Sequence, residues 1–381
     1  MKNIGVEVAP EHAFGRRFLE GVAAYAVTKS DWRLCSIPLD NMSATTIAQL
    51  DGLILRLFGN QIENAARRTN VPVVDVYGER PRCGLAQIHG DYDALGRIAA
   101  EFFLARSFTN FGWCGIDGLV FSDETRRHFF SHLAAHGRQV AAYTCAPRLF
   151  EKISYTAPDK IPDAKSLRKW LRSLPTPIAI FCCNDHRAYQ VMRVAIEAGL
   201  HVPRDVAILG VDNDTMICAY AQVPLSSIDP DAVKIGFSAA RLLNTLINTS
   251  VHDKVHRKVL IRPKGIIERR STEHIPIDPP WLSTVLLAIE KDLHDGISPS
   301  DVFRIAGKSA PIVERAFREK LGQSVISYIT GKRMERAQML LRTTNLLSKE
   351  IAALCGYSSA QYFCRSVRKH FGKSPRRLRG I

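Results

Sequence analysis

Short apolar runs alternate with amphipathic helical segments along residues 3–261, and this alternation limits the folds open to the chain. Two of the helical segments are FGRRFLEGVAAYAV (14–27) and DYDALGRIAAEFFLAR (91–106), whose apolar residues recur at helical spacing. The apolar runs are typical of buried strands: NIGVEV, WRLCSIPL, DGLILRL, VPVVDV, FGWCGI, QVAAYTC, PIAIFCC and DVAILGVD. Such a pattern predicts parallel sheets covered by helices on both faces. We therefore predict two doubly wound α/β lobes, with a helix at 233–248 and a last strand near 258–261.

Polar side chains follow two of the predicted strands, at the point where each strand ends. Asn184 and Asp185 come after PIAIFCC, and Asp212, Asn213 and Asp214 are at the end of DVAILGVD. Open parallel sheets bind ligands at the carboxyl ends of their strands, so two such lobes predict a ligand cleft there. Amides and carboxylates in that place suit a hydroxyl-rich ligand. The alternative is that these residues only cap helices or form turns.

The sequence contains no signature of catalysis or nucleotide binding. Asp185 and His186 resemble an acid–base pair, but sequence neighbours at a helix start rarely converge on one substrate atom. No GxSxG, GxxxxGK[ST] or GxGxxG motif occurs. We therefore predict no enzyme activity, no catalytic residue and no cofactor. A sugar-modifying enzyme with a basic tail stays the alternative; it would need a converging acid and base, or a metal, in the cleft.

The nine cysteines indicate a reducing compartment rather than a metal or disulfide framework. Their number is odd, their spacing is irregular, and no CxxC or Cys/His ligand pattern occurs. No apolar run approaches the roughly 20 residues that span a bilayer, and the N-terminus lacks a signal-peptide core. We expect buried free thiols, no metal, no membrane contact and a cytoplasmic location. The same features oppose a periplasmic transport receptor.

The C-terminal part carries an excess of positive charge. From Ile275 onward lie 18 of the 52 Lys and Arg but only 9 of the 37 Asp and Glu. Residues 348–379 predict a short helix, a turn at Gly356 and a second helix that buries Phe363, Val367 and Phe371. A helix, a glycine turn and a basic helix are what reading of the DNA major groove requires. A helical hairpin with a solvated charged face is the alternative.

The rest of the C-terminal part predicts further helices. Residues 273–280 are rich in proline and indicate an interdomain linker. After it we expect an all-α domain over 281–381, with helices at 281–296, 298–307, 310–322 and 325–344. Two helix-turn-helix units, 298–322 and 348–372, are then bridged by one long helix.

The run PIAIFCCNDHRAYQVMRVAIEAGLHVPRDVAILGVDN, followed by PLSSID and IIERRST, resembles the effector-binding domain of LacI/GalR-type regulators. The resemblance covers residues 1–272 and implies a two-lobed periplasmic-binding-protein-like fold. It also implies effector contacts, at the positions Arg126, Asn184, Asp212, Asp185, Phe14 and Phe58. That family places a DNA-binding headpiece before this domain, whereas here the first strand begins at Asn3. DNA binding is therefore expected elsewhere.

The segment from FREKLGQSVISYITGKRMERAQ to IAALCGYSSAQYF and FGKSPRRLR resembles the AraC-type DNA-binding domain. The resemblance covers residues 281–379 and implies two recognition helices in successive major-groove segments, roughly 34–36 Å apart. The positions that would face bases are Pro311, Glu314, Arg315, Ala360, Gln361 and Arg365. The positions that would contact phosphates are Arg368, Lys369, Lys373 and Arg376. Pro311 and Ala360 cannot hydrogen-bond bases, so the first helix is expected to read fewer positions.

A LacI/GalR-type sensor without a headpiece, joined to a C-terminal AraC-type domain, resembles the bacterial xylose-operon activators. The resemblance implies an activator of sugar catabolic genes that senses a monosaccharide, with a pentose such as xylose as the candidate. Double-stranded DNA is the expected partner, together with a second copy of the chain in a homodimer, and RNA polymerase is a further candidate. The alternative is the same architecture acting as a repressor or sensing a ligand other than a pentose.

Overall fold

The computed structural model divides the chain into two compact units, Met1–Glu273 and His274–Ile381. None of the helices in the part of the chain that is described has the length and apolar character needed to cross a membrane. The structure describes residues 1–8, 10, 12–37, 43–56, 68–78, 85–146, 161–248, 258–273, 277, 279–344 and 346–379.

The first unit consists of two lobes, each built on a six-stranded sheet. The first lobe contains β1 (Lys2–Glu7), β2 (Trp32–Ser36), β3 (Gly52–Leu55), β4 (Val73–Asp75), β5 (Ala86–Gly90) and β11 (Lys258–Ile261), in the spatial order β11-β5-β4-β3-β1-β2. The second contains β6 (Phe111–Ile116), β7 (Val140–Cys145), β8 (Ile178–Cys182), β9 (Val206–Val211), β10 (Ser226–Asp229) and β12 (Gly265–Ile267), in the order β12-β10-β9-β8-β6-β7. All neighbouring strands pair in parallel except β10 and β12.

Helices cover the sheets of both lobes, as the alternation in the sequence predicts. They are α1 (Ala13–Ala26), α2 (Ala44–Ile47), α3 (Tyr92–Ala105), α4 (Val120–Ala134), α5 (Ala164–Ser173), α6 (Asp185–Glu197), α7 (Thr215–Tyr220) and α8 (Ala232–Asn248), followed by a 3-10 turn at Arg270–Thr272. In the first lobe, Phe18 of α1 and Leu243 of α8 are fully buried with strand residues such as Ile54. In the second lobe separate cores lie on the two faces of the sheet, one around Trp113 and Phe181 and one with Ile180.

The chain passes between the lobes three times, after β5, after β10 and after β11. Backbone hydrogen bonds join these crossings: the N–H of Asp91 donates to the carbonyl of Ile261 (2.9 Å), and that of Lys264 to the carbonyl of Asp229 (2.9 Å). The crossings therefore form one hydrogen-bonded connection beside the space between the lobes.

Strand β5 is a central strand that the apolar pattern in the sequence does not predict. It buries Gln87 and His89, and the Gln87 side-chain amide donates to the Asp75 carboxylate of β4 at 2.8 Å. A buried polar side chain is acceptable when it is hydrogen-bonded, but it removes the apolar run that indicates a strand. Strand β12 is likewise unpredicted; it has only three residues and lies at the sheet edge.

The second unit is all-α. Its helices are α9 (Pro280–Lys291), α10 (Pro299–Ala306), α11 (Ala310–Leu321), α12 (Val325–Thr343), α13 (Ser348–Leu354), α14 (Ala360–Phe371) and α15 (Pro375–Leu378). The predicted fold class, two α/β lobes and an all-α domain with two helix-turn-helix units, is confirmed. The expectation that the helix at 281–296 runs to Gly296 is wrong, because α9 ends at Lys291 and the polar residues after it form turns.

Helix α12 contributes side chains to both cores of the second unit. Its first half places Val325 and Ile329 in a core with Phe317 of α11. Its second half places Met334 and Leu341 in a core with Phe363 of α14. One continuous helix therefore fixes the positions of α11 and α14 relative to each other.

Each helix-turn-helix unit has a glycine in the left-handed conformation after its first helix, and the two glycines differ in their surroundings. Gly307 has φ 58° and Gly356 has φ 69°. A Cβ on Gly307 would have open space, whereas one on Gly356 would lie 2.1 Å from the carbonyl oxygen of Leu293. The close approach places the turn of the second helix-turn-helix unit against the residues that follow α9.

We predict that Gly356→Ala destabilises the second unit much more than Gly307→Ala. Both substitutions pay the left-handed backbone cost of roughly 1–2 kcal/mol, but only Gly356→Ala also forces Leu293 away. Urea unfolding followed by circular dichroism measures the difference. Equal losses of stability for the two variants would contradict the close approach.

Candidate ligand cleft and nucleic-acid interface

A cleft of about 730 Å³, counting the solvent at its mouth, lies between the two lobes of the first unit. The first lobe lines it with His12, Phe14, Arg56, Val76 and Tyr77. The second lobe lines it with Phe121, Thr125, Cys183, Asn184, Val211 and Asp212. Gly90, Tyr92 and Pro230, at the crossings between the lobes, and Leu95 complete the lining.

The first lobe and the crossing after β5 contribute an aromatic wall. The rings of Phe14 and Tyr77 lie 5.4 Å apart, and the Arg56 guanidinium lies 4.4 Å from the centre of the Tyr77 ring. The Tyr92 hydroxyl donates to the Tyr77 carbonyl at 3.1 Å, which fixes these two residues relative to each other. Flat apolar faces beside a guanidinium suit a small ligand that has both C–H surfaces and hydroxyls.

The second lobe contributes the polar groups Asn184 and Asp212. The Asn184 side-chain oxygen accepts from the N–H of Arg187 at 2.9 Å, so it caps α6 as well as lining the cleft. Asp212 follows β9 with φ 104°, a strained conformation for a residue with a side chain. Burial raises the pKa of the Asp212 carboxyl well above its usual range, and the nearby Asp185 and Asp214 carboxyls add to this. A polar ligand that hydrogen-bonds the carboxyl offsets the cost of its burial.

Asp185 lies beneath the strand ends and is not among the cleft-lining residues. Its carboxylate accepts from the N–H of Asp214 at 2.7 Å and from the Cys218 thiol at 3.5 Å. Burial raises its pKa to about 7. The neighbouring His186 ring lies 6.3 Å from that of His12, and its pKa is lowered to about 3 by burial, with His12 and Arg16 adding to the shift. The structure thus gives Asp185 and His186 separate surroundings.

Arg126 lies outside the residues that line the cleft. Its guanidinium pairs with Asp117 at 3.2 Å and with Asp123 at 3.1 Å. Thr125, one residue earlier on α4, lines the cleft in its stead. The predicted contact Phe58 falls outside the described residues. Of the expected effector positions, Phe14, Asn184 and Asp212 are brought together.

Sequence reasoning missed Arg56, Tyr77, Tyr92 and Thr125 as lining residues. Arg56 directly follows β3, but the predicted run DGLILRL includes it, so the sequence placed the end of this strand beyond Arg56. Tyr77 lies two residues beyond the end of β4. It directly follows the predicted run VPVVDV, so the rule that identified Asn184 and Asp212 was sufficient to find it.

The described residues include no group of three His, Cys, Asp or Glu side chains placed to hold a metal ion. The cysteines that the structure describes are free; Cys35 and Cys364 are half-buried and the others are buried.

The second unit presents a basic surface on α11, α14 and the segment after α14. Pro311 and Arg315 of α11 are exposed and Glu314 is half-buried. On α14 and beyond, Ala360 is half-buried, and the exposed positions are Gln361, Arg365, Arg368, Lys369, Lys373 and Arg376. All the predicted DNA contacts except Glu314 and Ala360 are therefore exposed.

Two apolar side chains on the same helices also lie at the surface. Ile312 of α11 is 42% exposed and Tyr362 of α14 is 58% exposed. Each is adjacent to a predicted base-facing position, Pro311 and Gln361. Neither was among the predicted base-facing positions, although apolar side chains read thymine methyl groups by direct contact.

The comparisons with known proteins cover both units. Residues 100–272 match the family model of a periplasmic binding protein-like domain, and residues 302–380 match that of a helix-turn-helix domain. The xylose operon regulatory protein of Escherichia coli (strain K12) is 26% identical, over 97% of this chain and 94% of that protein.

Solved structures of transcription regulators also resemble this chain. The structure of a xylose-binding transcription activator, xylR, superposes with a TM-score of 0.61 at 25% identity, covering 100% of this chain and 98% of that one. A LacI family transcriptional regulator from Enterococcus faecalis V583, with bound ribose, reaches a TM-score of 0.58 at 21% identity over 71% of this chain and 98% of that one. The second likeness is one of fold.

We predict that Asp185→Asn changes how stability depends on pH. The pKa of this carboxyl is about 7 in the folded protein against an ordinary value of 3.8. The folded state therefore keeps a proton that the unfolded chain releases, so the wild-type protein loses stability as the pH rises between these values. Asp185→Asn should lack this loss, and its stability relative to wild type should rise by roughly a few kcal/mol across that window. Urea unfolding at several pH values tests this; parallel profiles would contradict it.

Proposed function

We propose that the chain regulates the transcription of sugar catabolic genes in response to a monosaccharide. The support is that it is homologous to the xylose operon regulatory proteins over nearly its whole length, and that it combines a periplasmic binding protein-like domain with an AraC-type helix-turn-helix domain. The observation that carries the proposal is the cleft that brings Asn184 and Asp212 opposite Phe14 and Tyr77, in one chain with two recognition helices held by α12.

A pentose such as xylose is the proposed effector. The name of the Escherichia coli relative refers to the xylose operon, and the related xylR structure is described as xylose-binding. Asn184 offers both a donor and an acceptor, and Asp212 accepts hydrogen bonds or donates one when protonated. These groups pair with vicinal hydroxyls, while Phe14 and Tyr77 cover the less polar face of the sugar.

The proposed mechanism is a population shift. A sugar that contacts both lobes binds the closed arrangement more tightly than an open one and shifts the equilibrium toward it. The change alters how two copies of the chain pair in a homodimer, and hence how their recognition helices meet two half-sites. To switch DNA binding, the sugar must favour one arrangement by a few kcal/mol, since equal affinity for both shifts nothing.

The proposed DNA contacts divide into reading and positioning groups. Arg315 and Arg365 suit the O6 and N7 atoms of guanine, and Gln361 suits adenine. Glu314 suits a cytosine amino group. The cations that would hold phosphates without reading sequence are Arg368, Lys369, Lys373 and Arg376. Activation is the proposed direction of control, with contact to RNA polymerase as the route.

The first test measures sugar binding and DNA binding on the same protein. Calorimetry against a panel of pentoses and hexoses should detect a pentose, and fluorescence anisotropy should show that this sugar changes the affinity for DNA flanking the gene. Asp212→Ala should abolish the thermal stabilisation by sugar and leave sugar-free DNA binding unchanged. The regulator function would be refuted by a protein that binds none of this DNA with any sugar.

The second test separates base reading from phosphate contact on α14. Arg365→Ala should cost about 1–3 kcal/mol of specific DNA binding and relax the preference at one base position. Arg368→Ala, on the same helix, should weaken binding to all sequences alike and lower the salt dependence. Anisotropy titrations against a set of single-base operator variants measure both effects. If the Arg365→Ala protein kept its sequence preference, Arg365 would not be a base-reading residue.

A further inference from the structure

Arg17 connects the two lobes outside the lining of the cleft. It lies on α1 of the first lobe, and its Nη2 contacts the Asp229 carboxylate at the end of β10 in the second lobe at 3.0 Å. Its Nη1 donates to the carbonyl oxygen of Asp212 at 3.4 Å. The Arg17 side chain is 23% exposed and the Asp229 side chain 6% exposed, so the pair is largely removed from water. A buried pair of this kind is costly to break, because each charge loses its partner before it regains water.

Both acceptors of Arg17 belong to parts of the second lobe that matter for the cleft. Asp229 precedes the crossing into α8, and its carboxylate also accepts from the N–H of Asp231 at 2.9 Å. Burial favours the neutral form of Asp229, but Arg17 and this N–H hold its pKa below its usual value. Asp212 lines the cleft in a strained backbone conformation. Arg17 therefore stabilises both the start of the crossing and the backbone conformation that orients the Asp212 carboxyl.

Arg16 makes a second contact from α1 to the second lobe. The adjacent Arg16 places its Nη2 3.6 Å from the carboxylate of Asp214, which caps α7 in the second lobe. The Arg16 side chain is 46% exposed, so water screens this pair more than that of Arg17. Consecutive arginines on α1 thus meet carboxylates of the second lobe, and Arg17 makes the more buried contact.

We propose that Arg17 is a positioning residue for effector binding: it stabilises the closed arrangement of the lobes and the backbone of Asp212 without contacting the sugar. The proposal rests on the sugar-binding function proposed above. Moving the lobes apart breaks both of its contacts at once, so Arg17 contributes to the free-energy difference between the closed and open forms. The measured affinity for sugar falls with the fraction of protein that is closed, even when every sugar contact is retained.

The test combines solution scattering of the sugar-free protein with calorimetry against xylose. Arg17→Ala and Asp229→Asn should each increase the radius of gyration without sugar and weaken xylose binding about tenfold. The double variant should bind no more weakly than Arg17→Ala alone, because Asp229→Asn removes a contact that Arg17→Ala has already removed. Arg17→Lys keeps the charge but cannot reach both acceptors, so its affinity should lie between those of Arg17→Ala and wild type.

Arg97→Ala is the matched control. Arg97 pairs with Glu101 at 3.2 Å within α3 and makes no bridge to the described residues of the first lobe, so this variant should scatter and bind xylose like wild type. The proposal is overturned if Arg17→Ala does the same, or if the effects of Arg17→Ala and Asp229→Asn simply add. A wild-type protein that binds no monosaccharide would refute the proposed effector function alone, because the scattering comparison without sugar still decides whether Arg17 holds the lobes together.

Discussion

Parallel pairing of the strands is the constraint on which the rest of the first unit depends. When neighbouring strands run in one direction, their carboxyl ends lie at one edge of the sheet, and the residues that follow them are neighbours in space. Arg56 and Tyr77 follow β3 and β4 of the first lobe, and Asn184 and Asp212 follow β8 and β9 of the second. The cleft is formed where these two edges face each other.

This constraint explains why part of the cleft could be predicted from sequence. A strand that is buried on both faces is an unbroken apolar run, so its end is easily located, and Asn184 and Asp212 were found in this way. Strand β5 was not predicted because the polar Gln87 and His89 interrupt its apolar run. Both are buried there and hydrogen-bonded to polar partners. Arg126 was expected at the effector, but the direction of a side chain on α4 depends on Asp117 and Asp123, which periodicity does not describe. Tyr92 of the aromatic wall was missed for the same reason as β5, because it lies just after that strand.

The second unit was more predictable, because an amphipathic helix specifies its buried and exposed faces together. Burial of Phe363 and Val367 leaves Gln361 and Arg365 on the outer side of α14. The position of α12 in two cores also follows from its length and its apolar spacing. What the pattern did not provide was the end of α9, where short polar residues compete with the helix, and the exposure of the apolar Ile312.

The three crossings between the lobes have a consequence for how the protein is made. The sheet of the first lobe includes β11 (Lys258–Ile261), and that of the second includes β12 (Gly265–Ile267). Each sheet therefore lacks its last edge strand until nearly the whole first unit has left the ribosome, although all other strands have been synthesised by Asp229. The last strands of the two sheets are thus synthesised within a few residues of each other, after every residue that lines the cleft.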